Sequence, residues 1–361
     1  MSRPQLTPGV VLLGRYTVIE YLAEGGMQQV FRALDASFKR DVALKTPKNT
    51  SAVKRFERSA RVSARVTHAN IAKTLDYFEE DGVPFLVEEL VDGMDLGRIL
   101  EERAALFDPH LAAHILHRLA RGLSAAHRAG IFHRDMKPSN IIVSKDDNLD
   151  TVKITDFGIA KMAAEELTSA ADGGDSSITS SQTAMGALPY MAPEMIQNPR
   201  NADRPADVWA VGAIAYRLLS GAFPFGSGLK AVPAIIRAQL PPKPAVYGSL
   251  RQFGPLADAI WLIVAKCLVP DPAARLTAAG LLQACSELCY SDATRSRGTV
   301  SSAPAGPRHW GLIKCDDGEI VFYHEDSYYG GQPSCGTRVS FAPYPGSPRR
   351  RAHPVLPLRT L

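Results

Sequence analysis

The sequence predicts an α+β protein of two lobes, strand-rich and then helix-rich, followed by a small C-terminal β module. Three observations lead there. Apolar and polar residues alternate through much of the first hundred residues. From Leu96 the apolar residues recur at helical spacing. Beyond residue 290, short strand-like runs are separated by Gly and Asp turns.

In chain order, Tyr16–Ala23 and Val30–Leu34 read as a hairpin across Gly25–Gly26, and Val42–Lys45 as a third strand. Lys54–Arg65 is a helical stretch, and Ile71–Phe78 and Pro84–Val91 form a second hairpin broken at Asp81–Gly82. Leu111, Ile115, Leu119 and Leu123 fall near one helical face, and Trp209–Leu219 and Leu256–Leu268 are further apolar helices. Residues 163–185 are rich in Ser, Thr, Ala, Gly and Asp, a composition that cannot bury a core and reads as a mobile loop. Ser291–Pro307 reads as a linker or loose strand edge; Trp310–Ile313, Glu319–His324 and Thr337–Phe341 read as short strands.

With 45% apolar and 22% charged residues in 361, the balance is that of an ordinary globular protein, and no apolar run approaches the about 20 residues that cross a bilayer. Met1–Val10 does not read as a secretory signal, and five cysteines without metal-ligand spacing suit reduced thiols, so the expected location is cytoplasmic. From residue 290 onward nine Lys/Arg face six Asp/Glu, so +3 of the net +4 lies in the tail.

The chemistry concentrates in His133-Arg134-Asp135-Met136-Lys137-Pro138-Ser139-Asn140, followed after a strand by Asp156-Phe157-Gly158. Phosphoryl transfer needs a carboxylate beside the attacking hydroxyl, hard oxygen ligands for a divalent cation, and positive charge on the phosphates. Asp135 suits the first role, Asn140 and Asp156 the second, and Lys137 the third. On these motifs the chain resembles the bacterial eukaryotic-like serine/threonine protein kinases from about Tyr16 to Tyr290. That resemblance implies a bilobal protein-kinase fold, ATP with Mg²⁺ or Mn²⁺ as cofactors, and protein substrates. Val42-Ala43-Leu44-Lys45 is similar to the family's third-strand motif, which implies that Lys45 contacts the α/β-phosphates. Leu22, Ala23, Gly25, Gly26, Val30 and Ala43 would cover the nucleotide. Glu89, Leu90 and Val91 would form the hinge, preceded by Glu88, with Asp95 near the ribose and Ile142 under the adenine. Ala192-Pro193-Glu194 resembles the close of the activation segment, Asp207–Gly212 the buttressing helix, and Arg275 the partner of Glu194. Lys137 resembles the Ser/Thr class. Arg134 implies a phosphorylated activation loop, for which Thr179, Ser181 and Thr183 are the favoured acceptors.

Four features depart from that pattern. The glycine loop reads Ala23, Gly25, Gln28, Val30. Ser59 stands where the αC glutamate would pair with Lys45. Ala187 replaces a threonine that would bond the catalytic residues. Glu88, at the normally apolar position before the hinge, is the candidate replacement counter-ion for Lys45, unless Glu89 holds that position. The rival to an active kinase is a weakly active or inactive scaffold that signals through its tail.

Gly298–Val300, Arg308–Ile313, Val321–His324 and Val339–Phe341 resemble the cold-shock domain, a five-stranded OB barrel that binds single-stranded nucleic acid. The resemblance implies a platform of Trp310, Phe322 and His324, with Arg308 and Lys314 near phosphates; one aromatic pair is missing at Ser301–Ala303. Arg349-Arg350-Arg351 is either a phosphate contact or a solvated cluster. The expected division is 1–15 N-terminal segment, 16–290 kinase domain, 291–296 linker, 297–355 barrel and 356–361 tail.

Overall fold

The computed structural model describes residues 5–24, 28–48, 53–157, 182–198, 203–244 and 252–359. Its first lobe is a six-stranded antiparallel sheet. β1 (Val11–Leu12), β2 (Tyr16–Glu24), β3 (Gln28–Asp35) and β4 (Arg40–Pro47) precede helix α1 (Val53–Ser63); β5 (Thr74–Glu80) and β6 (Val83–Glu89) follow it, in the order β1-β2-β3-β4-β6-β5. β4 is central, with β3 on one side and β6 on the other, so Val42, Ala43, Leu44 and Lys45 are all buried instead of alternating. Tyr16, Val18, Phe31, Ala33, Val42, Leu44, Phe85 and Val87 form this lobe's core. Helix α1 meets the sheet through a small separate cluster, Phe56 and Ala60 against Leu86.

β7 (Met94–Asp95) and α2 (Leu96–Glu102) lead into the second lobe. Asp95 caps α2 by accepting from Arg98 N, and Asp108 caps α3 (Pro109–Arg128) by accepting from His110 and Leu111 N, with proline at the first turn. β8 (Ile141–Val143) and β9 (Val152–Ile154) complete a small sheet with β7. After α4 (Gln182–Ala187) and α5 (Pro193–Gln197) comes α6 (Arg204–Ser220), buried almost throughout and ended by Gly221 at φ 72°, the left-handed conformation that favours glycine. α7 (Val232–Arg237), α8 (Gly254–Cys267) and α9 (Ala278–Ser286) finish the lobe. α8 crosses α6 at Gly212, where a Cβ would lie 2.5 Å from Cys267 Cβ, so a side chain there would force the helices apart. Among the described residues no helix is long and apolar enough to cross a membrane.

The tail is a closed barrel of β10 (Ser296–Ser302), β11 (Trp310–Cys315), β12 (Ile320–His324), β13 (Arg338–Tyr344) and β14 (Arg351–Pro357), ordered β10-β11-β12-β14-β13. The β12–β14 pairing is parallel and the others antiparallel. Val300, Ile313, Val321, Tyr323, Val339, Phe341 and Val355 fill its interior. Gly311 is required because a Cβ there would run into the Ser302 carbonyl and the Tyr323 ring.

Several sequence-based boundaries need correction. The 1–15 segment contributes β1, which pairs with β2. The Ser291–Pro307 run, read as a linker or loose edge, contains β10; its Gly/Ser/Thr composition is stabilised by partners on both sides. The 291–296 linker is pinned to the second lobe: Arg295 Nη2 lies 2.6 Å from Asp108 Oδ2, with both side chains buried. The 356–361 tail begins inside β14, and Arg359 N donates to Arg103 O at 2.7 Å. Ile71 makes an isolated bridge to Ile154 instead of opening β5, and Val91 lies beyond β6.

The barrel is docked on the α2–α3 corner. Tyr329 and Leu356 belong to the second lobe's core. Phe253 stacks on His353 at 5.0 Å and meets Tyr329 edge-on at 5.1 Å. Tyr329 OH donates to Leu219 O, and Arg297 is bidentate on Asp147. Arg295→Ala would leave the Asp108 carboxylate buried without its cation. The expected loss is about 3–5 kcal/mol, read as a lowered urea midpoint of the full chain.

Candidate active site

The segment 133–140 is shaped by α6. Asp207, 1% exposed, accepts hydrogen bonds from the backbone N–H of His133 (2.9 Å) and Arg134 (2.6 Å) and from His127 Nε2 (2.9 Å). Burial alone would raise the Asp207 carboxyl; these donors hold it below its ordinary value instead. His133 Nε2 donates to Thr155 O at 2.7 Å, which leaves Nδ1 to accept from Asp135 N. Arg134 and Asp156 sit at φ 64° and 62°, sparsely populated for side-chain-bearing residues.

Two lysine–carboxylate pairs line the cleft. On the lower wall, Lys137 Nζ is 2.8 Å from Asp135 Oδ2, and Asn140 Nδ2 donates to the Asp135 backbone carbonyl and to Oδ2. On the upper wall, Lys45 Nζ is 2.5 Å from Glu88 Oε2 and 2.8 Å from Asp156 Oδ1. Gln28 Nε2 also donates to Asp156 Oδ1, at 2.7 Å. Burial by itself would lower Lys45, but Asp156 and Glu88 raise its pKa well above the ordinary lysine value. Burial pushes the Glu88 carboxyl up while Lys45 opposes that push. Burial likewise raises Asp156, but Lys45 and Gln28 bring it below its ordinary value.

The other sequence-predicted residues fall as follows. Val30 and Ala43 lie on neighbouring strands of the upper lobe, with Leu22 and Ala23 on β2. Gly25 and Gly26 lie outside the described residues. Glu89 pairs with Lys153 at 2.9 Å, and Val91 is half-buried in the connection to the second lobe. Asp95 and Ile142 are paired across β7 and β8. Thr179 and Ser181 lie outside the described residues, and Thr183 lies in α4, its side chain undescribed. Glu194 is held by Arg275 in a bidentate pair at 2.6 and 3.1 Å. Sequence reasoning missed the side chain of Gln28 as a site group; its position in a degraded glycine loop was the available signal. It also missed Arg204, whose guanidinium shares the Phe132 ring with that of Arg134, at 5.0 and 5.8 Å.

Asn140 and Asp156 offer amide and carboxylate oxygens, the hard donors that suit Mg²⁺ or Mn²⁺. With Asn140 Nδ2 committed to Asp135, its carbonyl oxygen is the donor left over.

A two-lobed fold with lysine-paired carboxylates on both walls of the cleft is that of a protein kinase, and the protein kinase domain family matches residues 16–285; the chain belongs to that family. Among curated proteins it is similar to the serine/threonine-protein kinase PknL of Mycobacterium tuberculosis, 37% identical over 220 residues, covering 60% of this chain and 51% of PknL. PknA of the same species is 35% identical over 295 residues, covering 73% of this chain and 64% of PknA. Pkn3 of Myxococcus xanthus is 34% identical over 303 residues, covering 82% and 53%. The chain thus spans about half to two thirds of the length of these relatives.

Since Asp207 has a lowered pKa, its stabilisation is full above the ordinary carboxylate value of about 4 and fades as pH falls through the lower folded value. Asp207→Asn, which loses this charge, should be clearly less stable than the parent at neutral pH. The gap between their urea midpoints should narrow on acidification below about pH 4; a pH-independent gap would contradict the assignment.

Proposed function

We propose that this chain is an active serine/threonine protein kinase acting in the cytoplasm. ATP supplies the phosphoryl group; Asn140 and Asp156 would hold Mg²⁺ or Mn²⁺, which would supply positive charge against the phosphates. A substrate hydroxyl oxygen bonds to the γ-phosphorus, the bond to the β–γ bridging oxygen breaks, and ADP leaves. Asp135 takes the hydroxyl proton. Lys137, beside Asp135, offers positive charge to the transferring group, and Lys45 does the same for the phosphates deeper in the cleft. The observation that carries this reading is the pairing of Lys137 with Asp135 while Asn140 fixes the same carboxylate. Radiolabel transfer to a general protein substrate should require a divalent cation and fall about 10²- to 10⁴-fold in Asp135→Asn, the loss typical when a positioned base is removed. No transfer by the parent would favour the scaffold.

The same reading includes autophosphorylation of the activation loop. Among the described residues Arg134 Nε is buried and unpartnered, and Arg204 lies beside it across Phe132, a pair suited to a phosphate. Phosphate on Thr179, Ser181 or Thr183 should be found by mass spectrometry in the parent and be missing in Asp135→Asn.

The barrel supports a second reading, an OB-type module that binds single-stranded nucleic acid. In OB folds the face of strands two and three and two flanking loops form the binding surface. Here Trp310, 38% exposed, lies 5.5 Å from Phe322, Arg308 stacks over Trp310 at 4.8 Å, and His309 stacks on His324 at 6.3 Å. Val321 and Tyr323 point inward, so Phe322 and His324 share the outer face. The chain leaving the 345–350 loop brings Arg350 and Arg351 beside Phe322 at the edge of that face, although the Arg350 guanidinium is engaged by Glu319. Oligothymidine or oligouridine should quench Trp310 fluorescence at low salt, and Phe322→Ala should weaken binding about 5- to 100-fold, the equivalent of one stacked base. An unresponsive Trp310 would instead point to a protein-interaction surface.

A further inference from the structure

We propose that Glu88 is the positioning residue that orients Lys45, so that the upper wall of the nucleotide site is built within the sheet and is not switched by helix α1. This rests on the kinase reading of the cleft.

The geometry is a single chain of contacts: Glu88, Lys45, Asp156, Gln28, joined at 2.5, 2.8 and 2.7 Å. Lys45 and Glu88 are 5% and 4% exposed, so neither charge can be satisfied by water. Their strands are hydrogen-bonded neighbours, with Ala43 opposite Glu88 and Lys45 opposite Leu86. The ion pair is therefore a diagonal cross-strand contact in the middle of a sheet, where register is fixed by the ladder.

Every member of the chain comes from β3, β4, β6 or the segment after β9. Among the described residues Lys45 has no partner on α1. Among the described residues the helix meets β6 through an apolar cluster of Phe56, Ala60 and Leu86. Two sequence departures thus close one network. Glu88 stands where an apolar residue is usual and anchors the lysine; Gln28 stands where a glycine is usual and anchors the aspartate. In a kinase whose lysine is held by a helix carboxylate, displacement of the helix breaks the pair. Here displacement of α1 leaves the pair intact, so inputs that act by moving this helix have little purchase on ATP binding.

The test compares ATP affinity, by calorimetry with Mg²⁺, across variants of the full chain. Glu88→Gln preserves shape and removes the charge, and should weaken ATP about tenfold or more, the value of a charged hydrogen bond. Adding Ser59→Glu to Glu88→Gln should restore part of that loss by supplying a carboxylate from α1. Phe56→Ala, and separately Arg61→Gly at an exposed position of the same helix, should leave ATP affinity within about threefold, less than a tenth of a typical allosteric coupling range's upper end. Thermal unfolding of each variant separates lost folding from lost orientation, and Arg61→Gly carries the test if Phe56→Ala does not fold. Unchanged affinity in Glu88→Gln overturns the positioning role. A loss in Arg61→Gly as large as in Glu88→Gln overturns the independence from α1. Because affinity is read without turnover, a parent that transfers no phosphate would sink the kinase reading while still deciding this one.

Discussion

One buried carboxylate organises the second lobe. Asp207 lies on a helix with almost no exposed surface, so its charge must be met by protein donors. The donors that reach it are the backbone amides of His133 and Arg134 and the His127 ring, and meeting them turns the chain through a left-handed residue at Arg134. That turn places Asp135 in the cleft. The same helix carries Trp209, which packs on Phe225 and under Arg275, and Arg275 in turn holds Glu194. The 133–140 segment and Glu194 are thereby referred to one rigid element.

What the sequence made legible was local. Hairpins at glycine turns, the Val42–Lys45 strand, the apolar helix faces and the 133–140 and 156–158 motifs all depend on spacing within a few residues. What it hid depends on partners far away in the chain. Arg295 finds Asp108 across 187 positions, and nothing in the Ser/Thr-rich stretch around it signals a buried ion pair. β10 has a linker's composition and becomes a strand because β11 and β13 flank it. Glu88 was visible as an anomaly with Lys45 as its candidate partner; the β4–β6 register supplies the diagonal geometry that joins them.

The cleft shows how departures from a family pattern can compensate one another. Substituting a glycine, an apolar residue and a helix glutamate separately would each weaken a nucleotide site. Here the first two substitutions supply polar side chains that meet on Lys45 and Asp156. Two carboxylates around one ammonium leave the upper wall with a negative excess, which a divalent cation beside Asp156 would offset. Ala187 is different: it is buried near Asp135 and brings no hydroxyl of its own, so Asp135 relies on Lys137 and Asn140 for its orientation.

The last strand of the barrel belongs to two surfaces at once. Arg351 lies beside Phe322 at the edge of the aromatic face, whereas His353 and Leu356, a few residues on, are embedded against the second lobe. A module built this way is not a transferable cassette. Cut out for grafting elsewhere, it would expose the apolar sole of Tyr329, His353 and Leu356, so any transplant would have to carry the α2–α3 corner with it. Gene fusions that join such a barrel to a new catalytic partner would face the same constraint, and insertions are best tolerated in its remote turns instead of at its junction with the kinase lobe.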